Sequence, residues 1–106
     1  MISEDRLQKA LTYLAETDEE VAQLKGNMER GEYLKKRTRA AEFLSAEGKS
    51  VEERKAKAEI SKDVEDIEHD YTRALVAYEH VAAKRKTEAL IVDVWRSVNA
   101  SRRQGQ

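Results

Sequence analysis

The chain has 106 residues with a formal net charge of −1, and it contains no proline and no cysteine. The absence of cysteine excludes disulfides and thiolate metal sites, and the balance of 20 basic against 21 acidic residues gives no overall attraction to nucleic acid or anionic lipid. Because proline interrupts helices, its absence permits very long ones. We therefore predict a single all-α domain over residues 1–106.

The first arm is predicted to be helical from about residue 4 to about residue 45. Ser3 is the predicted N-cap, followed by acidic residues that the helix dipole favours. Apolar residues recur at helical spacing along the arm and predict one packed face. They are Leu7, Leu11, Leu14, Ala15, Val21, Leu24, Met28, Leu34, Ala40, Ala41 and Leu44.

Two features of this arm are unusual for a helix interior, namely a capping box and two glycines. Thr17 and Glu20 form a capping box, which either starts a second helix or lies within a continuous one. Gly26 and Gly31 each cost about 1 kcal/mol relative to alanine. A local bend or a close helix contact would explain the two glycines.

The connection is predicted to contain a short helix. Gly48 follows the first arm and is expected to adopt the left-handed conformation that commonly ends helices. Ser50 and Glu53 form the clearest capping box in the chain. We therefore expect a helix over about residues 51–59.

The second arm is predicted to be one helix over about residues 61–102, with Ser61 as its N-cap. Its apolar residues mostly recur at spacings of three and four, which is typical of coiled coils. They are Val64, Ile67, Tyr71, Ala74, Leu75, Tyr78, Val81, Ala82, Ala89, Val92, Trp95 and Val98.

The charges favour antiparallel packing of the two arms. When opposed residue numbers sum to about 106, three charged blocks of the first arm face blocks of opposite sign in the second. The expected fold is a long, coiled-coil-like antiparallel helical hairpin. The blocks are Lys35, Lys36, Arg37 and Arg39 against Asp63, Glu65, Asp66, Glu68 and Asp70; Glu16, Asp18, Glu19 and Glu20 against Lys84, Arg85 and Lys86; and Glu4 and Asp5 against Arg102 and Arg103.

A two-helix hairpin has one seam and cannot surround a core. Apolar residues outside the main seam broaden the apolar surface of both arms, namely Tyr33, Phe43, Leu90, Ile91 and Val94. We therefore expect a homodimer that forms a four-helix bundle.

No residue pattern indicates catalysis, cofactor binding or a metal site. His69 and His80 lie eleven residues apart, about 16 Å along a helix, which is too far to share a metal. We predict a protein that is not an enzyme and that has no cofactor and no small-molecule substrate. The sequence shows no secretory signal and no apolar run long enough for a membrane span, so we expect a cytoplasmic location without membrane binding.

Two classes of function remain open from the residues. The favoured one is a non-enzymatic interaction or scaffold protein, and the alternative is an accessory nucleic-acid-binding protein. The alternative depends on basic residues near the C-terminus and on an aromatic ring that could stack on bases. These candidate contacts for nucleic acid or a protein partner are Lys84, Arg85, Lys86, Trp95, Arg96, Arg102 and Arg103.

Three segments resemble a family of small helical proteins from tailed bacteriophages and prophages. The segments read YLAETDE (13–19), AEFLSAEGKSVEERKAKA (41–58) and YEHVAAKRKTEALIVDVWRSVNASRRQG (78–105). The resemblance implies a phage protein that acts inside the infected or lysogenic bacterium with a phage or host partner. For the alternative function, it implies a role near phage recombination or replication. It supplies no catalytic residues.

Overall fold

A computed structural model of the chain describes residues 1–105, and these residues form three helices without a strand. Helix α1 spans Glu4–Ser45, α2 spans Val51–Glu59 and α3 spans Lys62–Gln104. The prediction of an all-α fold is confirmed. The helices begin and end within about two residues of the bounds expected from their capping signals, which is ordinary scatter for helix ends.

Serine side chains cap all three helices. In each case the hydroxyl oxygen accepts a hydrogen bond from the amide three residues later, which satisfies one of the free donors of the first turn. The bonds run from the amides of Arg6, Glu53 and Val64 to the hydroxyls of Ser3, Ser50 and Ser61, at 3.1, 3.1 and 3.2 Å. In the capping box of α2, the Glu53 carboxylate accepts from the amide of Lys49 at 3.0 Å.

Helix α1 continues through Thr17 without a break. The Thr17 hydroxyl donates to the carbonyl of Tyr13 at 2.7 Å, a bond within the helix, so it does not cap a new one. Of the two possibilities left open by the sequence, the structure therefore shows the continuous helix.

The expected left-handed conformation of Gly48 is wrong. No described glycine has a positive φ. A Cβ at Gly48 would lie 3.1–3.2 Å from side-chain carbons of Glu53 and Arg54. The glycine therefore permits a close approach by the first turn of α2. This close approach, and not a left-handed backbone, accounts for glycine at position 48.

The helices pack as two compact units. Unit 1 comprises residues 1–23 and 79–105, and unit 2 comprises residues 24–78. Helices α1 and α3 each contribute to both units.

In unit 1, the start of α1 packs antiparallel to the second half of α3. Three pairs show the direction, since Met1, Arg6 and Asp18 contact Arg102, Glu88 and Arg85 respectively. One set of buried and half-buried α3 residues in this unit recurs at spacings of four and three, as in a coiled coil. They are Val81, Arg85, Glu88, Val92, Trp95 and Asn99.

In unit 2, the second half of α1 packs antiparallel to the start of α3, with α2 alongside. The Lys35 ammonium lies 3.9 Å from the ring centroid of Tyr71, and Arg39 forms ion pairs with Glu59 and Glu68. The buried apolar residues of this unit are Ala58 on α2 and Val64 on α3.

The packed faces differ from the predicted seams at several positions. Leu11, Leu44 and Val98 are 42%, 82% and 39% exposed, and four predicted alanines are exposed as well, namely Ala15, Ala40, Ala41 and Ala89. Small and polar residues occupy the packed positions instead, because the true repeat follows a strict 3.5-residue period that the apolar residues only partly mark. These residues are Thr17, Gly31, Thr38, Arg85, Glu88 and Asn99.

Candidate interaction surfaces

Two of the candidate basic residues are engaged within unit 1. The Arg85 guanidinium donates to the Leu14 carbonyl, the Thr17 hydroxyl and the Asp18 carboxylate, each at 2.7 Å, and its side chain is 23% exposed. The Lys84 ammonium lies 4.4 Å from the ring centroid of Tyr13, within the range of a cation–π contact. Arg85 is therefore not available as an open phosphate contact, whereas Lys84 remains exposed beside Tyr13.

Glu88 is a buried carboxylate that the sequence analysis assigned neither to a packed face nor to a charged block. It is 7% exposed and meets the Arg6 guanidinium in a forked ion pair. Its Oε1 accepts a hydrogen bond from Nη2 at 2.8 Å, whereas Oε2 lies 2.7 Å from Nη1 without a hydrogen bond of its own. The hydrogen bond from Arg6 lowers the pKa of Glu88 and outweighs the opposing effect of burial; the charge of Lys84 lowers it further.

Five candidate basic residues form no ion pair in the described part of the chain, and one of them, Lys84, has the cation–π contact with Tyr13. Lys86, Arg96 and Arg103 are exposed and have no polar partner there. Arg102 donates to the sulfur of Met1 at 3.1 Å, and thioether sulfur is a weak acceptor. The seven candidate residues therefore do not share one open face, since Arg85 belongs to the packed face.

Trp95 lies at an apolar cavity near the end of unit 1. The cavity has a volume of about 180 Å³. Its lining residues are Met1, Ile2, Val94, Trp95, Val98, Asn99 and Arg102. Trp95 is half-buried and shares the packed side of α3 with buried Val92. The ring therefore packs against its own unit and is not displayed as an open stacking platform.

The outer face of α3, defined by Ala83, Thr87, Leu90 and Val94, is exposed and largely apolar. Leu90 is 62% exposed and Val94 is 42% exposed. The Thr87 hydroxyl donates to the carbonyl of Ala83 at 3.3 Å, so its methyl group remains as the outward apolar part. Lys86 and Asp93, both exposed, flank this face.

In unit 2, part of the first basic block pairs with the acidic block opposite it. Lys35 and Arg39 both contact Glu68. Further along, Asp63 raises the pKa of Glu42 above its ordinary value, because a hydrogen bond between the two carboxyl groups favours the protonated form of Glu42.

No group of residues suited to metal binding occurs in the described part of the chain. His69 lies 3.8 Å from the Glu65 carboxylate on an exposed helix surface. None of the described helices combines the length and the apolar character needed to cross a membrane.

Sequence reasoning missed Thr17, Arg85 and Glu88 as members of the packed face of unit 1. An available signal was the strict alternation of three- and four-residue spacings from Leu7 through Thr17, and from Val81 through Glu88. A search for apolar residues alone does not find this spacing, because these side chains are polar. They become favourable at buried positions only when a partner satisfies their hydrogen-bonding groups.

Comparison of the chain with known proteins finds no matching family model, no matching curated protein and no matching solved structure.

Proposed function

We propose that this chain is a non-enzymatic interaction or scaffold protein that forms a homodimer and binds another protein through its helical faces. The observation that carries the proposal is the exposure of large apolar side chains along the helices. Val76 and Leu90 on α3 are each 62% exposed, and Leu44 and Ile60 are more than 80% exposed. Exposed apolar surface of this kind marks interaction sites when it is contiguous.

The small core also supports association. The chain has an accessible surface of 8020 Å² at a mass of 12.2 kDa, whereas a compact monomer of this mass exposes about 6,100 Å². The buried apolar residues of the described chain are Ala10, Ala58, Val64, Val81 and Val92. A second chain supplies the burial that one chain lacks, since stable interfaces bury about 1,200–2,000 Å² in total.

The proposed assembly consists of two antiparallel helical hairpins that form a four-helix bundle. The antiparallel pairs within each unit support this arrangement, and so do the coiled-coil spacings of α3. The role inside an infected or lysogenic bacterium, in its cytoplasm and with a phage or host partner, is part of the proposal and rests on the resemblance described above.

The experiment that tests self-association is light scattering coupled to size-exclusion chromatography over a wide concentration range. We expect a mass near twice 12.2 kDa. A mass that stays at that of one chain up to high concentration would overturn the proposed dimer.

Nucleic-acid binding is the second candidate function, favoured by the three arginines Arg96, Arg102 and Arg103, none of which is paired with a carboxylate in the described part of the chain. Binding driven by phosphates requires several free cations and weakens steeply with salt. Because the net charge is −1 and Arg85 is engaged, we expect weak binding of single- and double-stranded DNA in gel shifts at about 150 mM salt. Sub-micromolar binding that disappears when the three arginines are replaced by alanine would make this candidate the better one.

A further inference from the structure

We propose that a second copy of this chain packs on the outer face of α3 in antiparallel orientation, with opposed residue numbers that sum to 177. The inference rests on the proposed self-association and specifies its surface and register. The face runs from Ala83 to Val94, and all of it lies in unit 1. Its central positions, Ala83, Thr87, Leu90 and Val94, are spaced by four, three and four residues, which is the spacing of a coiled-coil seam.

The outer face lies on the opposite side of α3 from the packed face. Each of its positions follows a packed position by two residues, since Ala83, Thr87, Leu90 and Val94 follow Val81, Arg85, Glu88 and Val92. At about 100° per residue the two faces are roughly 160° apart. Because α1 covers the packed face in this unit, the outer face is open to a partner.

The register pairs large side chains with small ones. Val94 lies opposite Ala83 of the second copy, and Leu90 lies opposite Thr87 of the second copy. A two-fold axis repeats each pair in reverse, as an isologous interface requires. Since the Thr87 hydroxyl already donates to a carbonyl of its own helix, burial of this position leaves no unsatisfied donor, and its methyl group packs against leucine.

The flanking charges select this register and direction. Lys86 and Asp93 are both exposed and have no partner in the described part of the chain. They lie seven residues apart on one helix, about 10 Å along its axis, which is too far for a direct ion pair. Flanking residues on this edge of an antiparallel seam oppose each other with a sum two greater than that of the central pairs, here 179. In the proposed register Lys86 therefore faces Asp93 of the second copy, and the two-fold axis gives two such pairs.

Other arrangements place like charges together or leave the flanking charges unpaired. A slip by one heptad, to a sum of 184, brings Asp93 against Asp93 of the second copy. A parallel in-register dimer leaves both charges without a partner, because it places Lys86 beside Ile91 and Asp93 beside Val98 of the second copy. Like charges at flanking positions disfavour a pairing. The antiparallel register of sum 177 is therefore the one that satisfies both charges and apolar contacts.

This interface determines which helices are central in the dimer. Two α3 helices lie in the middle, and the start of each α1 lies outside its own α3. The four helices of this part of the dimer form a flatter assembly than a square bundle, because the packed and outer faces of α3 are nearly opposite.

The main test reverses the flanking charges. Lys86→Asp places two carboxylates against each other at both ends of the interface, and Asp93→Lys does the same with two ammonium groups. We expect each single variant to weaken dimerisation about tenfold at low salt, measured by sedimentation equilibrium. The double variant Lys86→Asp/Asp93→Lys restores opposite charges and is expected to regain the wild-type affinity.

Mixing the two single variants provides an internal control. One chain then carries two carboxylates at the flanking positions and the other carries two ammonium groups, so the mixture is expected to form heterodimers more tightly than either variant forms homodimers. Arg96→Asp is the matched control, since it makes the same charge change on an exposed position of α3 away from the outer face. We expect it to leave dimerisation within about twofold of wild type.

Disulfide trapping gives a second measurement that does not depend on charge. The chain contains no cysteine, so the variant Ala83→Cys/Val94→Cys is expected to form a covalent dimer on mild oxidation, because these positions oppose each other within the Cα separation of about 4.4–6.8 Å that a disulfide needs. The single variant Ala83→Cys is expected to stay uncrosslinked, since the two copies of residue 83 lie about 16 Å apart.

Three results would overturn the inference. A wild-type monomer at all concentrations removes both the interface and the proposed self-association. A wild-type dimer that is unaffected by either charge reversal places the interface elsewhere and leaves the proposed function intact. Rapid crosslinking of Ala83→Cys alone indicates a parallel pair of α3 helices and contradicts the register.

Discussion

Two glycines inside α1 provide a matched pair of substitutions that tests how closely α1 approaches α3 in unit 2. A Cβ added at Gly26 meets no atom within 4 Å, whereas a Cβ at Gly31 would lie 3.3 Å from Cδ1 of Tyr71 and 3.6 Å from its Cα. Both glycines lie in the helix interior, so the change to alanine gives the same intrinsic gain in helix propensity. The difference between Gly26→Ala and Gly31→Ala therefore measures the close contact.

The magnitude follows from two terms. Replacement of glycine by alanine in a helix interior stabilises the fold by about 1 kcal/mol, which is the full expected effect at Gly26. At Gly31 the Tyr71 ring must move by a few tenths of an ångström, and it is held by the ammonium of Lys35 at 3.9 Å from its centroid. Overpacking of this kind typically costs about 1–3 kcal/mol. We expect Gly31→Ala to be neutral or destabilising, with a gap of at least about 1 kcal/mol between the two variants.

Urea denaturation followed by circular dichroism at 222 nm measures this gap. All samples must have the same protein concentration, because self-association contributes to apparent stability. In a thermal melt followed by the same signal, the expected rise in melting temperature for Gly26→Ala is about 4–8 °C. Equal stabilisation by both substitutions would refute the close approach of Gly31 to Tyr71. Destabilisation by Gly26→Ala would refute the open surroundings of that position.

Two further predictions concern burial and pH. Val64→Ala should lower stability by about 1–2 kcal/mol more than Val76→Ala in the same denaturation assay, because Val64 is 2% exposed and Val76 is 62% exposed on the same helix; equal losses would contradict the packing of unit 2. Glu88→Gln should destabilise the protein at neutral pH, with a deficit that shrinks as pH falls through the lowered pKa of Glu88, because below it the wild-type carboxylate is protonated too. Glu42→Gln should instead stabilise the protein at neutral pH. The pKa of Glu42 is raised beside Asp63, so the wild type loses stability as pH rises through that pKa. Melting curves between pH 3 and pH 8 test both, and a parallel pH dependence of the two variants would contradict the assignment.

The short-range signals of the sequence predicted the helices well. Ser3, Ser50 and Ser61 were identified as N-caps, and each hydroxyl accepts the expected amide bond. A cap depends on atoms three residues away along the same chain, so its signal is complete within a short segment. The absence of proline likewise determined that helices of more than 40 residues were possible.

Membership of the packed faces was predicted less well because it depends on atoms of the other helix. Leu44 reads as a core residue and is 82% exposed, whereas Glu88 reads as a surface residue and is 7% exposed. A carboxylate is tolerated at a buried position when an opposite charge meets it there, and in unit 1 that charge comes from Arg6, far away in sequence. The local spacing around Glu88 marks a packed position, but only the contact with Arg6 makes a carboxylate favourable there.

The candidate basic residues show the same division. Sequence alone determined that Lys84, Arg85 and Lys86 form a cluster, and charge matching predicted an acidic stretch opposite it. Only the tertiary structure decided that Arg85 turns into the packed face to meet Asp18, while Lys86 stays exposed beside the outer face of α3. The physical reason is the helical period, because residues one position apart point about 100° away from each other and have different neighbours.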